Sequence, residues 1–211
     1  NIMLMSPFAD EVAKVATEEK VKVVTTGAGN PGKYMKEWKE AGIIVIPVVA
    51  SPALARMMER AGADAVIAEG GESGGHIGEL STMVVVPLVC DVVNIPVIAA
   101  GGIADSRGVA AALMLGACAV QVGTRFLSAE ECNIHPVYKE KIISAGERCT
   151  MVTGKKLGHP VRSLKTNFPK EYSKKEYADT PNDELEAMGI GTVRLAAKEG
   201  DLEKGSFLAG E

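Results

Sequence analysis

The sequence predicts an α/β protein: a (β/α)8 barrel cut at both ends, with a small, mostly helical lid after its last strand. Three observations lead there. Short runs rich in Val, Ile and Ala alternate with longer amphipathic stretches, and most runs are apolar at nearly every position, as in a parallel sheet covered on both faces. Glycine is in surplus, 23 of 211 residues, or about 11% against an ordinary 7%, and it gathers after helices and after strands. The strand-to-strand spacing suits a barrel, with its roughly 30 residues per unit, better than a doubly wound sheet.

The predicted strands are residues 1–5, 21–26, 43–49, 65–68, 97–100 and 119–122. They are taken as strands 3 to 8 of eight. Helices are expected near residues 7–18, 31–40, 52–61, 81–92 and 106–115. Three of them open on a cap residue followed by proline (Ser6-Pro7, Asn30-Pro31, Ser51-Pro52), and proline suits the first helical turn. Gly42, Gly62 and Gly116 follow the last residues of three helices, where a left-handed C-cap favours glycine. From Ser128 the rhythm breaks. Residues 130–204 are richer in charge and hold no long β-like run, so residues 1–127 are read as the barrel portion and 128–211 as the lid. The charged stretch 170–175 reads as a solvated face. Because the chain opens on Asn1 without an initiator Met and closes without a finishing helix, it is expected to be part of a longer protein.

Bulk properties remove several function classes. A net charge of -4 with 24% charged residues of mixed sign offers no basic face for nucleic acid. The apolar runs fall well short of the ~20 residues that span a bilayer, and no secretory leader opens the chain; a cytoplasmic protein is expected. Cys90, Cys118, Cys132 and Cys149 form no CxxC pair, and His76, His135 and His159 have no metal-ligand spacing. Reduced, mostly buried thiols and no metal are therefore expected. His135, before Pro136, reads as a helix cap and His159 as a structural residue of the tail.

The remaining glycines fall behind strands, where a parallel barrel builds its active site. Four loops carry them, at residues 25–30, 69–78, 99–105 and 121–126. Gly101 and Gly102 after one strand, with Gly123 and Thr124 after the next, predict a phosphate cup in which backbone N–H groups approach closely and a helix N-terminus adds its dipole. Plain tight turns are the competing reading. His76 is the sharpest catalytic candidate. It stands in a glycine-rich loop after the strand numbered 6, and an imidazole there can exchange a proton near neutral pH; a loop histidine bonded to a backbone carbonyl is the alternative.

Three motifs carry a resemblance: Ser73-Gly74-Gly75-His76-Ile77-Gly78, the run from Pro96 through Gly101-Gly102-Ile103-Ala104-Asp105, and Val120-Gln121-Val122-Gly123-Thr124-Arg125-Phe126. Together they resemble the FMN-dependent enoyl-ACP reductase II (FabK type) and its sister group, the nitronate monooxygenases or 2-nitropropane dioxygenases. The resemblance covers nearly the whole chain, and residues 23–31 and 42–49 look closer to the reductase branch. It implies an FMN-binding TIM barrel with a lid, NADH or NADPH as hydride donor, an enoyl thioester on acyl carrier protein as substrate and partner, and a homodimer. By the same resemblance Asn1 and Glu69 contact the flavin ring region, with Gly74 and Gly75 beside it. Gly101, Gly102, Gln121, Val122, Gly123 and Thr124 take the phosphate end, and His76 is the active-site histidine. Glu69 departs from the monooxygenases, where Gln is common. IMP dehydrogenase and GMP reductase have similar phosphate loops, but they need a cysteine nucleophile in the loop that here holds Gly, Glu, Ser and His. A non-catalytic flavoprotein or regulatory phosphate-binding barrel is the reading outside the enzyme class.

Overall fold

Strand order decides which kind of α/β protein this is. The computed structural model describes residues 1–211, and the chain divides into two compact units: Asn1–Gly71 with Gly78–Gln121, and Glu72–Ile77 with Val122–Glu211. In chain order the strands are β1 (Ile2–Met3), β2 (Val23–Gly27), β3 (Ile44–Val49), β4 (Val66–Glu69), β5 (Gly75–His76), β6 (Val97–Ala100), β7 (Ala119–Gln121), β8 (Thr150–Thr153) and β9 (Val161–Leu164). The first unit holds one parallel sheet in the order β1-β2-β3-β4-β6-β7. That order never reverses, whereas a doubly wound sheet turns back at a switch point. With right-handed crossovers, its helices therefore fall on one face, the arrangement expected of an arc of a barrel.

Five helices fill the crossovers: α1 (Ala9–Glu18), α2 (Gly32–Glu40), α3 (Pro52–Arg60), α4 (Thr82–Cys90) and α5 (Ser106–Met114). Only α3 starts as its Ser-Pro signal predicts, with Ser51 Oγ accepting from the Leu54 amide at 3.2 Å and Pro52 in the first turn. In the other two, the polar residue closes a turn one step earlier. Ser6 Oγ accepts from Phe8 N and Asn30 Oδ1 from Gly32 N, so α1 and α2 begin at Ala9 and Gly32. The stop signals hold, with Gly42, Gly62 and Gly116 all at positive φ.

Alternation along the strands fixes the core. Val45 and Val49 are fully buried beside Met58, Val66, Val85, Val86 and Val89, and Trp38, stacked on Tyr34 at 5.0 Å, donates its indole N–H to Ala13 O. At the amino ends of β2 and β3 the opposite face carries Val23 and Ile44, exposed at 47% and 45%, whereas β4 buries the consecutive residues Val66, Ile67 and Ala68 and so is covered on both faces, as its composition predicts. Asp64 ties β3 to α2, accepting from Lys39 Nζ and the Val45 amide. Burial works to raise its pKa, but the bonds from Lys39 and Val45 outweigh that and hold the carboxyl below its usual value.

The second unit contains α6 (Thr124–Leu127), α7 (Pro136–Ile143), α8 (Asn167–Tyr177), α9 (Asn182–Gly189), α10 (Thr192–Arg194) and a π-helical turn, Leu195–Glu199. It also contains a sheet that the sequence does not predict, β5-β9-β8, antiparallel throughout. β8 and β9 are only four residues each and mix hydroxyl and apolar side chains, which leaves no strong hydrophobic period to read. Tyr138, Leu164, Ala196, Phe207 and Ala209 form the core, with Tyr138 and Phe207 edge-on at 4.8 Å. His135 caps α7, its ring accepting from Val137 N. The charged run forms exposed ion pairs, Lys174 to Glu171 and Lys175 to Glu184. The four thiols are free, but none is fully buried: Cys118 is exposed and the other three are intermediate, with Cys90 at the end of α4, Cys118 and Cys149 just ahead of β7 and β8, and Cys132 in the loop before α7. No helix is long and apolar enough to cross a membrane.

Candidate functional site

In the first unit, register places several candidates on one face. Glu69 pairs with Ala100 and Ala100 with Gln121, and directly paired residues of a sheet point the same way. Glu69 and Gln121 therefore share a face at the carboxyl ends of β4 and β7. Asn1 stands beside β2, its amide donating to Thr25 Oγ1 at 2.9 Å. One buried polar atom nearby, Thr26 Oγ1, has no partner.

The loops that follow β4 and β6 lock together through α4. Gly70 N donates to Ala100 O, and Thr82 Oγ1 donates to Gly101 O at 2.9 Å. Gly101 and Gly102 both have positive φ, and a Cβ on Gly101 would come within 2.9 Å of Gly70 O. Packing alone thus requires glycine at 101. The predicted helix dipole at this loop meets a correction. Asp105 caps α5 itself, accepting from the amides of Arg107 and Gly108. The Arg107 side chain beside it, then the Gly108 amide, holds its carboxyl at about 2, so this helix start already carries an anion of its own.

In the second unit no side chain caps α6, whose N-cap is Gly123. A Cβ on Gly123 would meet nothing within 4 Å, so the backbone there is open to close approach. These are the features of the chain that fit a phosphate group. Thr124 Oγ1 is already in use, accepting from Gly210 N at 2.9 Å.

His76 ends β5, paired with Val161 of β9, while Gly75 pairs with Arg162. The residue as a whole is exposed. Burial nonetheless lowers its pKa from 6.5, with the charge of His159 as the second cause, and both favour neutral imidazole at neutral pH. His159 is the residue that sequence reading assigned only to the tail; its one signal was a Gly-His-Pro turn ahead of β9. Replacing His159 with Ala removes the second cause, so the His76 pKa should rise towards 6.5. An NMR titration of the ring checks this, and an unchanged midpoint would refute the coupling.

Sequence reading also missed the strap at residues 207–211, whose few residues resemble a frayed end. Leu208 bridges Ser163, its carbonyl accepts from Tyr138 Oη at 2.7 Å, and Glu211 N donates to Glu72 O. A Cβ on Gly74 would lie 2.6 Å from the Ala209 carbonyl carbon. The strap therefore holds the strand that carries His76 and also the first residue of α6.

The chain as a whole is similar to known proteins. The whole chain, residues 1–211, matches the family model described as Nitronate monooxygenase. Among solved structures it is similar to FabK from Thermotoga maritima, at 61% identity and a TM-score of 0.96, covering 100% of this chain and 67% of that one. It is also similar to nitroalkane oxidase from Streptomyces ansochromogenes, at 31% identity and a TM-score of 0.80, covering 95% and 61%. A probable nitronate monooxygenase of Staphylococcus aureus (strain MSSA476) is 38% identical over 206 residues, 92% of this chain and 58% of that protein. An octahydro-1H-indene-4-carboxyl-CoA dehydrogenase of Rhodococcus jostii is 41% identical over 150 residues, 71% of this chain and 42% of that protein. The chain spans about half the length of these curated relatives. With every residue inside the matched model, the chain belongs to the nitronate monooxygenase family.

Proposed function

We propose that the protein containing this chain is an FMN-dependent enoyl reductase. In this reading it reduces trans-2-enoyl thioesters on acyl carrier protein with NADH or NADPH, as a cytoplasmic homodimer serving fatty acid synthesis. The observation that carries the reading is the 61% identity with FabK along the entire chain, against 31% with the nitroalkane oxidase.

FMN, when bound, would supply the two-electron redox chemistry between the nicotinamide and the enoyl group. The chain would hold its ring region with Asn1, Glu69, Gly74 and Gly75. The phosphate end would fall to Gly101, Gly102, Gln121, Val122, Gly123 and Thr124, where the uncapped start of α6 offers N–H groups to an anion. Negative charge develops on the thioester oxygen during reduction. His76 stabilises it by donating an N–H, a contact stronger in the transition state than in the ground state. The lowered pKa supports a neutral donor over a cationic acid.

The second reading, nitronate oxidation, is favoured by the Staphylococcus aureus relative and the nitroalkane oxidase. Flavin-loaded full-length protein is tested with NADPH and a crotonyl thioester, then with propionate 3-nitronate. Thioester-dependent NADPH oxidation is expected. Turnover of the nitronate alone would replace the first reading with the second.

A further inference from the structure

His76 has one direct neighbour across the ladder, Val161 of β9. The ladder bond beside this pair runs from Ile77 N to Pro160 O at 3.0 Å, which leaves His76 and Val161 at the narrow, non-hydrogen-bonded position. Facing Cβ atoms there lie about 4.5–5.5 Å apart, and both side chains leave the same face of the sheet. Alternation puts Ser163 on that face too, and pairing adds Thr153 and Met151 of β8. Thr153 and Ser163 are buried, Met151 and Val161 half-buried, and His76 exposed. Val161 is therefore the apolar side chain that borders the open imidazole.

That border is rigid. β9 is the middle strand of its sheet, paired with β5 on one edge and β8 on the other. The turn between β8 and β9 is pinned by α8, where the Glu176 carboxylate accepts from Gly154 N at 3.2 Å and from Lys156 N at 2.9 Å. A β-branched side chain on such a strand has few rotamers with which to move aside. A carbonyl oxygen held by the imidazole at about 3 Å thus brings the substituents of that carbonyl against the Val161 methyl groups. In a trans-2-enoyl thioester these are the sulfur, common to every substrate, and the α-carbon, which in an unbranched chain carries only hydrogen. We propose that Val161 is a specificity residue: it admits unbranched enoyl thioesters and excludes those with a methyl group on the α-carbon. The assignment rests on the enoyl-thioester reading of His76.

The test compares flavin-loaded full-length enzyme with Val161→Ala, Val161→Thr and Val161→Phe, using crotonyl-CoA and 2-methylcrotonyl-CoA with NADPH. An unchanged thermal midpoint verifies that each variant is folded. In kcat/KM the wild type should prefer crotonyl-CoA by about tenfold or more, the usual effect of one ill-fitting methyl group. Val161→Ala should erase most of that preference, by accelerating the branched substrate rather than slowing the straight one. Val161→Thr keeps the branched shape and should keep the preference. Val161→Phe should lower kcat/KM for crotonyl-CoA itself by about tenfold or more. Calorimetric affinities for the saturated products, butyryl-CoA and 2-methylbutyryl-CoA, should follow the same order without any need for turnover. A wild type that handles both substrates equally overturns the proposal. So does a preference that survives in Val161→Ala, or a loss there that is equal for both substrates. If the wild type reduces neither thioester, the enoyl-reductase reading fails, while the ratio of product affinities still decides the role of Val161.

Discussion

Replacing His76 with Ala in the full-length enzyme will lower kcat for a crotonyl thioester by about 10²-fold, the usual cost of losing one oxyanion donor. FMN affinity should stay close to the wild-type value, because β5 is held by its backbone pairing with β9 and by the strap, not by the imidazole. Reduction of the flavin by NADPH alone should also persist, which places the defect in the second half-reaction. Gln at 76 keeps an N–H donor and should recover part of the loss; Leu should not. The pH dependence separates donor from acid. Burial and His159 both lower the His76 pKa, so a neutral donor remains competent through neutral pH and loses its form only as pH falls below the depressed value. A cationic acid would show the reverse, with turnover declining as pH rises through that same value. Unchanged turnover in His76→Ala would remove the residue from the mechanism.

How far the sequence reveals this site depends on what each residue's neighbours are. The parallel sheet and its helices are legible because their signals are local: apolar runs of strand length, and glycines at 42, 62 and 116 that all take positive φ. His76 is legible through its loop. Its surroundings are not, since Val161, His159 and the strap lie 83 to 135 residues further on in the chain and meet it only through tertiary pairing. β8 and β9 escape notice for a related reason. Thr150 and Ser163 are buried by packing that no window of sequence contains, so their polarity reads as loop. The glycine loops were legible as a group but not one by one. Gly123 is open space suited to a ligand, whereas Gly101 is spoken for by the protein's own backbone.

That division predicts opposite behaviour for two glycines that look alike in the sequence. A Cβ on Gly70 would lie 2.1 Å from Thr82 Oγ1, 2.3 Å from Thr82 N and 2.5 Å from Thr82 Cα. The hydroxyl can rotate away, but the other two atoms are backbone at the first residue of α4. That helix cannot retreat, because Val85, Val86 and Val89 are fully buried beneath it. Gly70 also donates to Ala100 O, so a shift of its own backbone would open the β4-to-β6 edge. Overpacking of this kind costs typically 1–3 kcal/mol and more when only backbone can yield, so Gly70→Ala should lose about 3 kcal/mol or more. For a domain of this size that lowers Tm by roughly 6–12 °C, measured by calorimetry on the full-length enzyme. Adding Thr82→Ala should not rescue it, since the clashing N and Cα remain. Gly123→Ala is the counterpart. With no atom within 4 Å of the new Cβ, its stability should change by no more than about 0.5 kcal/mol, while FMN affinity falls if the phosphate lies against that backbone. A stable Gly70→Ala would mean that the packing of α4 on the β4 and β6 loops is looser than these contacts require.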